Sequence, residues 1–167
     1  FLVLYRYYDR RYQALFGNAF SQGSTVQNEQ GVYMGFQLTP IARWKLSVYA
    51  DLFRFPWLKY GIDAPSGGQE YMAQIDYTPS RNYSAYLRYK YRQKEKNGTF
   101  ENDNLLKINT CKQHRIRFQQ VYNFSSPFIF KTSLDGILFD DPIKKLNKGI
   151  MISQSIGWKP TTLPLQI

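Results

Sequence analysis

Hydrophobic and polar positions alternate along most of this chain with a period of two. In the segment from Trp44 to Phe53, Trp44, Leu46, Val48, Ala50 and Leu52 interleave with Lys45, Ser47, Tyr49, Asp51 and Phe53. From Tyr83 to Arg92, Tyr83, Ala85, Leu87, Tyr89 and Tyr91 interleave with Ser84, Tyr86, Arg88, Lys90 and Arg92. Successive side chains of a strand point to opposite faces, so this pattern predicts strands with one apolar and one polar face. A helix needs apolar residues three and four apart, and would here scatter charge around its whole circumference.

The pattern recurs, less cleanly, in Val32–Met34–Phe36–Leu38, Tyr71–Ala73–Ile75–Tyr77, Ile116–Phe118–Tyr122–Phe124, Phe128–Phe130–Leu134 and Ile150–Ile152–Ile156–Trp158. Gln120 and Gln154 interrupt two of these apolar faces. A first strand, Phe1–Val3–Tyr5–Tyr7, carries Arg6 on its other face, and Leu165 is expected to open a ninth strand.

Connections add a second regularity. Four are short and contain proline: 39–43, 78–82, 125–127 and 159–164. The others are long, spanning about 9–30, 54–68, 94–112 and 138–148. Short and long alternate, which predicts that all long loops gather at one end. Outer-membrane barrels are built this way, with short periplasmic turns and long extracellular loops. Proline in the short turns fixes φ and removes a donor where strand pairing stops.

The expected fold is therefore all-β: an antiparallel up-and-down transmembrane β-barrel. The 167 residues read as part of one domain, eight full strands and the start of a ninth within a larger barrel. An eight-stranded barrel is the lesser alternative. The functional alternatives to a channel, transport or assembly barrel are a surface-exposed binding module with a closed lumen and a soluble β-sandwich that binds carbohydrate through its aromatics. Phe1 opens inside a strand without a basic leader, so a leader is expected upstream, and no aromatic closes the chain at Gln166-Ile167.

Composition agrees with this picture. Tyr (14) and Phe (12) bring aromatics to 17 %, yet mean hydropathy is −0.48. Apolar residues stand singly between polar ones, and none of the sequence approaches the ~18 consecutive apolar residues of a membrane helix.

The inferred inner face carries Arg6, Lys45, Arg88, Lys90, Arg92, Arg115, Arg117 and Lys131 against Asp51, Glu70, Asp76 and Asp135. Trp44, Tyr77, Tyr83, Tyr122, Phe124 and Trp158 lie beside the short turns, where an interfacial aromatic girdle belongs. The net charge of +10 admits lipid headgroups, nucleic acid or acidic solutes as neighbours, and equally a set of solvated loop charges.

Arg88, Lys90 and Arg92 should face Arg115 and Arg117 across one hairpin. Like charges opposite one another are unfavourable unless acidic groups or an anionic ligand compensate them. One reading is a wall that steers anions, polysaccharide or nucleic acid through a lumen; the other is neutralisation by plug segments or by carboxylates of further strands.

Several stretches carry a family resemblance: Arg10–Phe16, Gln27–Tyr33, Phe55–Tyr60, Tyr77–Asn82 and Tyr89–Lys94. Together they resemble the membrane part of large Bacteroidota outer-membrane proteins described as helix-hairpin-helix domain-containing. The resemblance implies a bacterial outer-membrane location, outer-membrane lipid as neighbour and other outer-membrane proteins as partners. The helix-hairpin-helix part is not in this sequence, so a nucleic-acid partner follows only by analogy.

Catalytic and metal chemistry finds little footing, and no enzyme activity or cofactor is expected. His114 is the only histidine and Cys111 the only cysteine, which disfavours histidine-based metal clusters, a Ser-His-Asp triad and an internal disulfide. His114 reads as a rim residue at a strand start, and Cys111 as a loop residue. Asp140-Asp141 lacks the spaced oxygen ligands of a calcium loop. Asn97-Gly98-Thr99 and Gly67-Gly68 read as turns. The cluster containing Phe55, Trp57 and Tyr60 falls in a long loop, either packed over the barrel mouth or presented to a partner.

Overall fold

The computed structural model describes residues 1–13, 19–98, 107–124, 128–142 and 146–158. They form eight strands: β1 (Leu2–Tyr8), β2 (Glu29–Ile41), β3 (Trp44–Phe55), β4 (Ser66–Ser80), β5 (Tyr83–Gly98), β6 (Lys107–Asn123), β7 (Phe128–Asp140) and β8 (Asn147–Trp158). All eight belong to one sheet in chain order, every neighbour antiparallel. No helix occurs among the described residues. The fold is thus an up-and-down meander of the kind that builds β-barrels, and the sheet is not closed, since β1 and β8 do not pair. The expected ninth strand at Leu165 lies outside the described residues.

Register confirms the phase of the two faces. The ladder Trp44–Tyr77, Leu46–Ile75, Val48–Ala73 and Ala50–Tyr71 joins β3 to β4 on the apolar side, and Lys45–Asp76, Ser47–Gln74 and Asp51–Glu70 join them on the polar side. A one-residue slip anywhere would exchange the faces. The alternation therefore holds register across the whole sheet.

The ends of the strands depart from the sequence reading. Pro40 and Pro79 lie within β2 and β4, and the turns are only Ala42-Arg43 and Arg81-Asn82. Register shifts between Leu38 and Ile41, and between Tyr77 and Ser80, absorb the prolines. Arg43 takes a left-handed φ of 75° to close its turn. The Thr78 N–H then donates to the Arg43 carbonyl at 2.9 Å, tying one turn to the next strand.

At the opposite end the strands run further than expected. Cys111 is not in a loop but buried within β6, paired with Lys94. His114 is likewise inside β6 rather than at its start, half-buried on the apolar face, with its Nδ1 2.8 Å from the Tyr89 hydroxyl.

Burial is inverted relative to a water-soluble domain. The buried apolar residues are Phe53, Phe55, Ile62 and Cys111; the buried polar ones are Arg6, Asn28, Glu29, Asp51, Ser66, Glu70, Asn109 and Asp135. Most of them cluster on the polar face near the long-loop end. Meanwhile Phe36, Leu87 and Ile152 on the apolar face stand 51 %, 49 % and 70 % exposed.

Candidate functional site

The polar face is a charge network rooted in β1. Arg6 is buried and reaches two fully buried carboxylates: its Nε donates to Glu29 Oε1 at 2.6 Å, and Nη1 and Nη2 donate to the two oxygens of Asp51 at 2.7 and 3.1 Å. The bidentate fork suits a guanidinium and not an ammonium. Gly31, the register partner of Arg6, makes room for it, because a Cβ there would stand 2.7 Å from Arg6 Cζ.

One row across the sheet alternates large and small: Arg6, Gly31, Phe53, Gly68, Lys94, Cys111. At Gly68 a Cβ would stand 2.5 Å from both the Phe53 ring and the Gln93 carbonyl oxygen. Glycine is thus required at both positions for close approach.

A segment of the β1–β2 loop folds onto this network. Ser21 Oγ and the backbone N–H groups of Gln22 and Gly23 donate to Glu29. The Gln22 amide bridges oppositely charged groups: Nε2 donates to Asp51 at 2.8 Å, and Oε1 accepts from Arg92 at 2.8 Å. Its backbone carbonyl accepts from Lys94 Nζ at 2.7 Å. Asn28, with a left-handed φ of 53°, pins the neighbouring loop: its Nδ2 donates to the Trp57 and Leu58 carbonyls and its Oδ1 accepts from the Trp57 N–H.

The cationic ladder is where the sequence places it. Arg88 pairs in register with Arg117, and Lys90 with Arg115. The carboxylates come from the flanking strands of the same sheet. Glu70 on β4 lies 2.9 Å from Lys90 and 3.3 Å from Arg92; Asp135 on β7 lies 2.8 Å from Arg117 and 3.3 Å from Arg115. Arg88 donates instead to the Gln74 amide oxygen at 2.6 Å. Lys45 stands 3.8 Å from Asp76, and Lys131 is on the same face, exposed, in register with Ser155. Adjacent strands of this chain thus supply carboxylates to Lys90, Arg92, Arg115 and Arg117.

The aromatic residues form a belt at the short-turn end. Ring centroids are 4.4 Å apart for Trp44–Tyr77, 6.3 Å for Tyr83–Tyr122, 5.2 Å for Tyr122–Phe124 and 6.4 Å for Phe124–Phe130, while Trp158 pairs in register with Phe128.

The loop cluster divides. Phe55 does not belong to a loop surface: it ends β3 on the polar face, buried, with its ring 5.9 Å from Phe53 and Lys59 Nζ 3.4 Å from its centroid. Trp57 and Tyr60 are exposed, and Arg10 stacks over Trp57 at 5.1 Å. Burial holds the Lys59 ammonium below its ordinary pKa; Glu29 opposes that shift and Arg92 adds to it.

Glu29 and Gln22 escaped the sequence reading because they lie at or within an irregular connection, where no periodicity marks a face. The signal available was the apolar strand β1 carrying a lone arginine, which demands carboxylates from somewhere.

The chain matches no protein-family model, no curated protein and no solved structure.

Proposed function

We propose that this chain is the lipid-facing wall of a bacterial outer-membrane β-barrel, non-enzymatic, serving as a channel, transport element or assembly component. One observation carries the reading: an apolar face, broken within its span by His114 and by the row Gln120, Thr132 and Gln154, runs across all eight strands with no layer of described residues upon it. It is bounded at one end by the aromatic belt. At the other end the same side-chain parity turns polar, at Gln30, Arg54, Gln69, Gln93, Glu95, Lys112 and Lys148. From Tyr83 to Tyr91 the apolar stretch is on the order of 25 Å of strand, at ~3.3 Å per residue. Its nine residues, Tyr83 to Tyr91, are about the length that a tilted barrel strand needs to cross a membrane.

In water such a face needs a second layer; in lipid it needs none. Lipid also forbids open sheet edges, so the reading requires further strands, from this protein or a second copy, to pair β1 and β8. The resemblance to Bacteroidota barrel proteins points the same way.

A second reading is a surface-binding module with a closed lumen. It is favoured by the β1–β2 loop, which Gln22 and Ser21 fasten onto the polar face.

Washing membranes with alkaline carbonate and then extracting with detergent tests the first reading. Retention until detergent is added is the expected result, and release by carbonate overturns it. Conductance of the purified protein in planar bilayers then separates an open lumen from a closed one.

A further inference from the structure

Throughout most of the polar face, cations and carboxylates are matched. The long-loop end breaks that rule. Among the described residues, Lys59, Lys94 and Lys96 have no carboxylate at ion-pair distance. Lys94 donates to a neutral carbonyl, and its Nζ lies 5.2 Å from the Phe53 ring. Lys59 lies over the adjoining Phe55 ring, and Lys96 Nζ stands 5.7 Å from the Phe139 ring. Lys59 and Lys94 are close enough to repel each other.

Two donors beside these lysines are also unmatched. Ser66, 6 % exposed, is the register partner of Phe55, and its Oγ has no hydrogen-bond partner. Asn109, 9 % exposed, is the register partner of Lys96, and its Nδ2 has none either. Buried polar groups are normally satisfied, because one left unpaired has lost its hydrogen bonds to water and gained none in return. Of the four such buried side-chain atoms among the described residues, these two flank the half-buried Lys59 and Lys94 and the exposed Lys96, none of which is in an ion pair.

We propose that Lys59, Lys94 and Lys96, with Ser66 Oγ and Asn109 Nδ2, form a binding site for a phosphate-class oxyanion at the long-loop mouth of the polar face. Ammonium groups supply charge, and the two neutral donors supply direction, the combination that distinguishes a site from a diffuse positive patch. An oxyanion there satisfies both orphaned donors and relieves the repulsion between the lysines. The proposal deepens the barrel reading by naming the class of solute or lipid headgroup met at the mouth. It does not depend on membrane insertion, which the carbonate wash reads separately.

The test is calorimetric titration of inorganic pyrophosphate into the protein in dodecyl maltoside, a detergent without phosphate. Saturable binding is expected, weakened at least tenfold in the double variant Lys94→Gln/Lys96→Gln and unchanged in Lys131→Gln, which removes a cation elsewhere on the same face. Ser66→Ala and Asn109→Ala remove the two donors that have no partner in the fold, so both should fold normally, by circular dichroism, and still bind several-fold more weakly. Absence of saturable binding to the folded wild type overturns the site, as does equal loss in Lys131→Gln. Competition by phosphatidylglycerol in mixed micelles assigns the site to a headgroup phosphate; no competition assigns it to a soluble phosphate; both outcomes uphold it.

Discussion

Arg88 and Arg117 face each other directly across the β5–β6 ladder, yet each has its own acceptor: Gln74 for Arg88, Asp135 for Arg117. Two opposed guanidinium groups are tolerated because β4 and β7 lie outside the hairpin and approach it from both sides. Asp135 is the more consequential acceptor, since it serves Arg115 as well.

Asp135→Asn should therefore destabilise the sheet by about 1–2 kcal/mol, a charge-assisted interaction discounted for the partly exposed arginines. The urea midpoint of unfolding in micelles is the measurement. Adding Arg117→Gln to Asp135→Asn should cost less than the same change in the wild type, because the arginine has then already lost its carboxylate. Strict additivity would mean that the pair contributes nothing.

How much of this was legible beforehand follows from the period of two. Once β3 and β5 were phased, Lys45, Asp51, Arg88 and Arg92 had to share a face, and the ladder of Arg88 with Arg117 followed from the hairpin. What the period could not reach were the places where it ends. Phe55 and Cys111 keep strand parity beyond the point where hydrophobic alternation fades, so they read as loop residues although both are buried. Gln22 joins Asp51 to Arg92 from a connection with no periodicity at all, and its contacts are set by tertiary folding of the loop. Pro40 and Pro79 looked like turn centres but are accommodated by irregular pairing one step earlier.

Gly31 tests the buried charge cluster. Gly31→Ala places a methyl 2.7 Å from Arg6 Cζ, so the guanidinium must leave Glu29, Asp51 or both. Breaking a buried ion pair while its partners stay buried costs about 3 kcal/mol or more. The control is Gly136→Ala, whose added Cβ meets nothing within 4 Å and should be neutral or slightly stabilising, by about 0.5 kcal/mol. Equal urea midpoints for the two variants would contradict the close packing of Arg6 on Gly31.

Lys59 gives a pH dependence of known sign. Burial lowers its pKa in the folded state below the ordinary lysine value of 10.5, so the unfolded chain binds more protons between the folded pKa and 10.5. Stability must rise with pH across that window, and the full cost of the buried charge is felt below it. The urea midpoint should climb more steeply from neutral toward pH 10 in the wild type than in Lys59→Met. A slope in Lys59→Met equal to that of the wild type would show that Lys59 is not the group responsible.

Two depths on one face of β5 offer the sharpest discrimination between a lipid and a water environment. Leu87 sits midway along the apolar stretch from Tyr83 to Tyr91, 49 % exposed, whereas Gln93 has the same parity beyond its polar border. If water bathes this face, an arginine at either position is a surface change worth within about 0.5 kcal/mol. If lipid does, arginine at the middle of the band costs about 2–4 kcal/mol and near the interface only about 0–1 kcal/mol. Leu87→Arg and Gln93→Arg, compared by urea titration of folding into lipid vesicles, should show that depth dependence. Equal and small effects at the two positions would remove the membrane from the account of this sheet, and would require a second layer of protein to cover the face that Leu87 shares with Ile116 and Leu134.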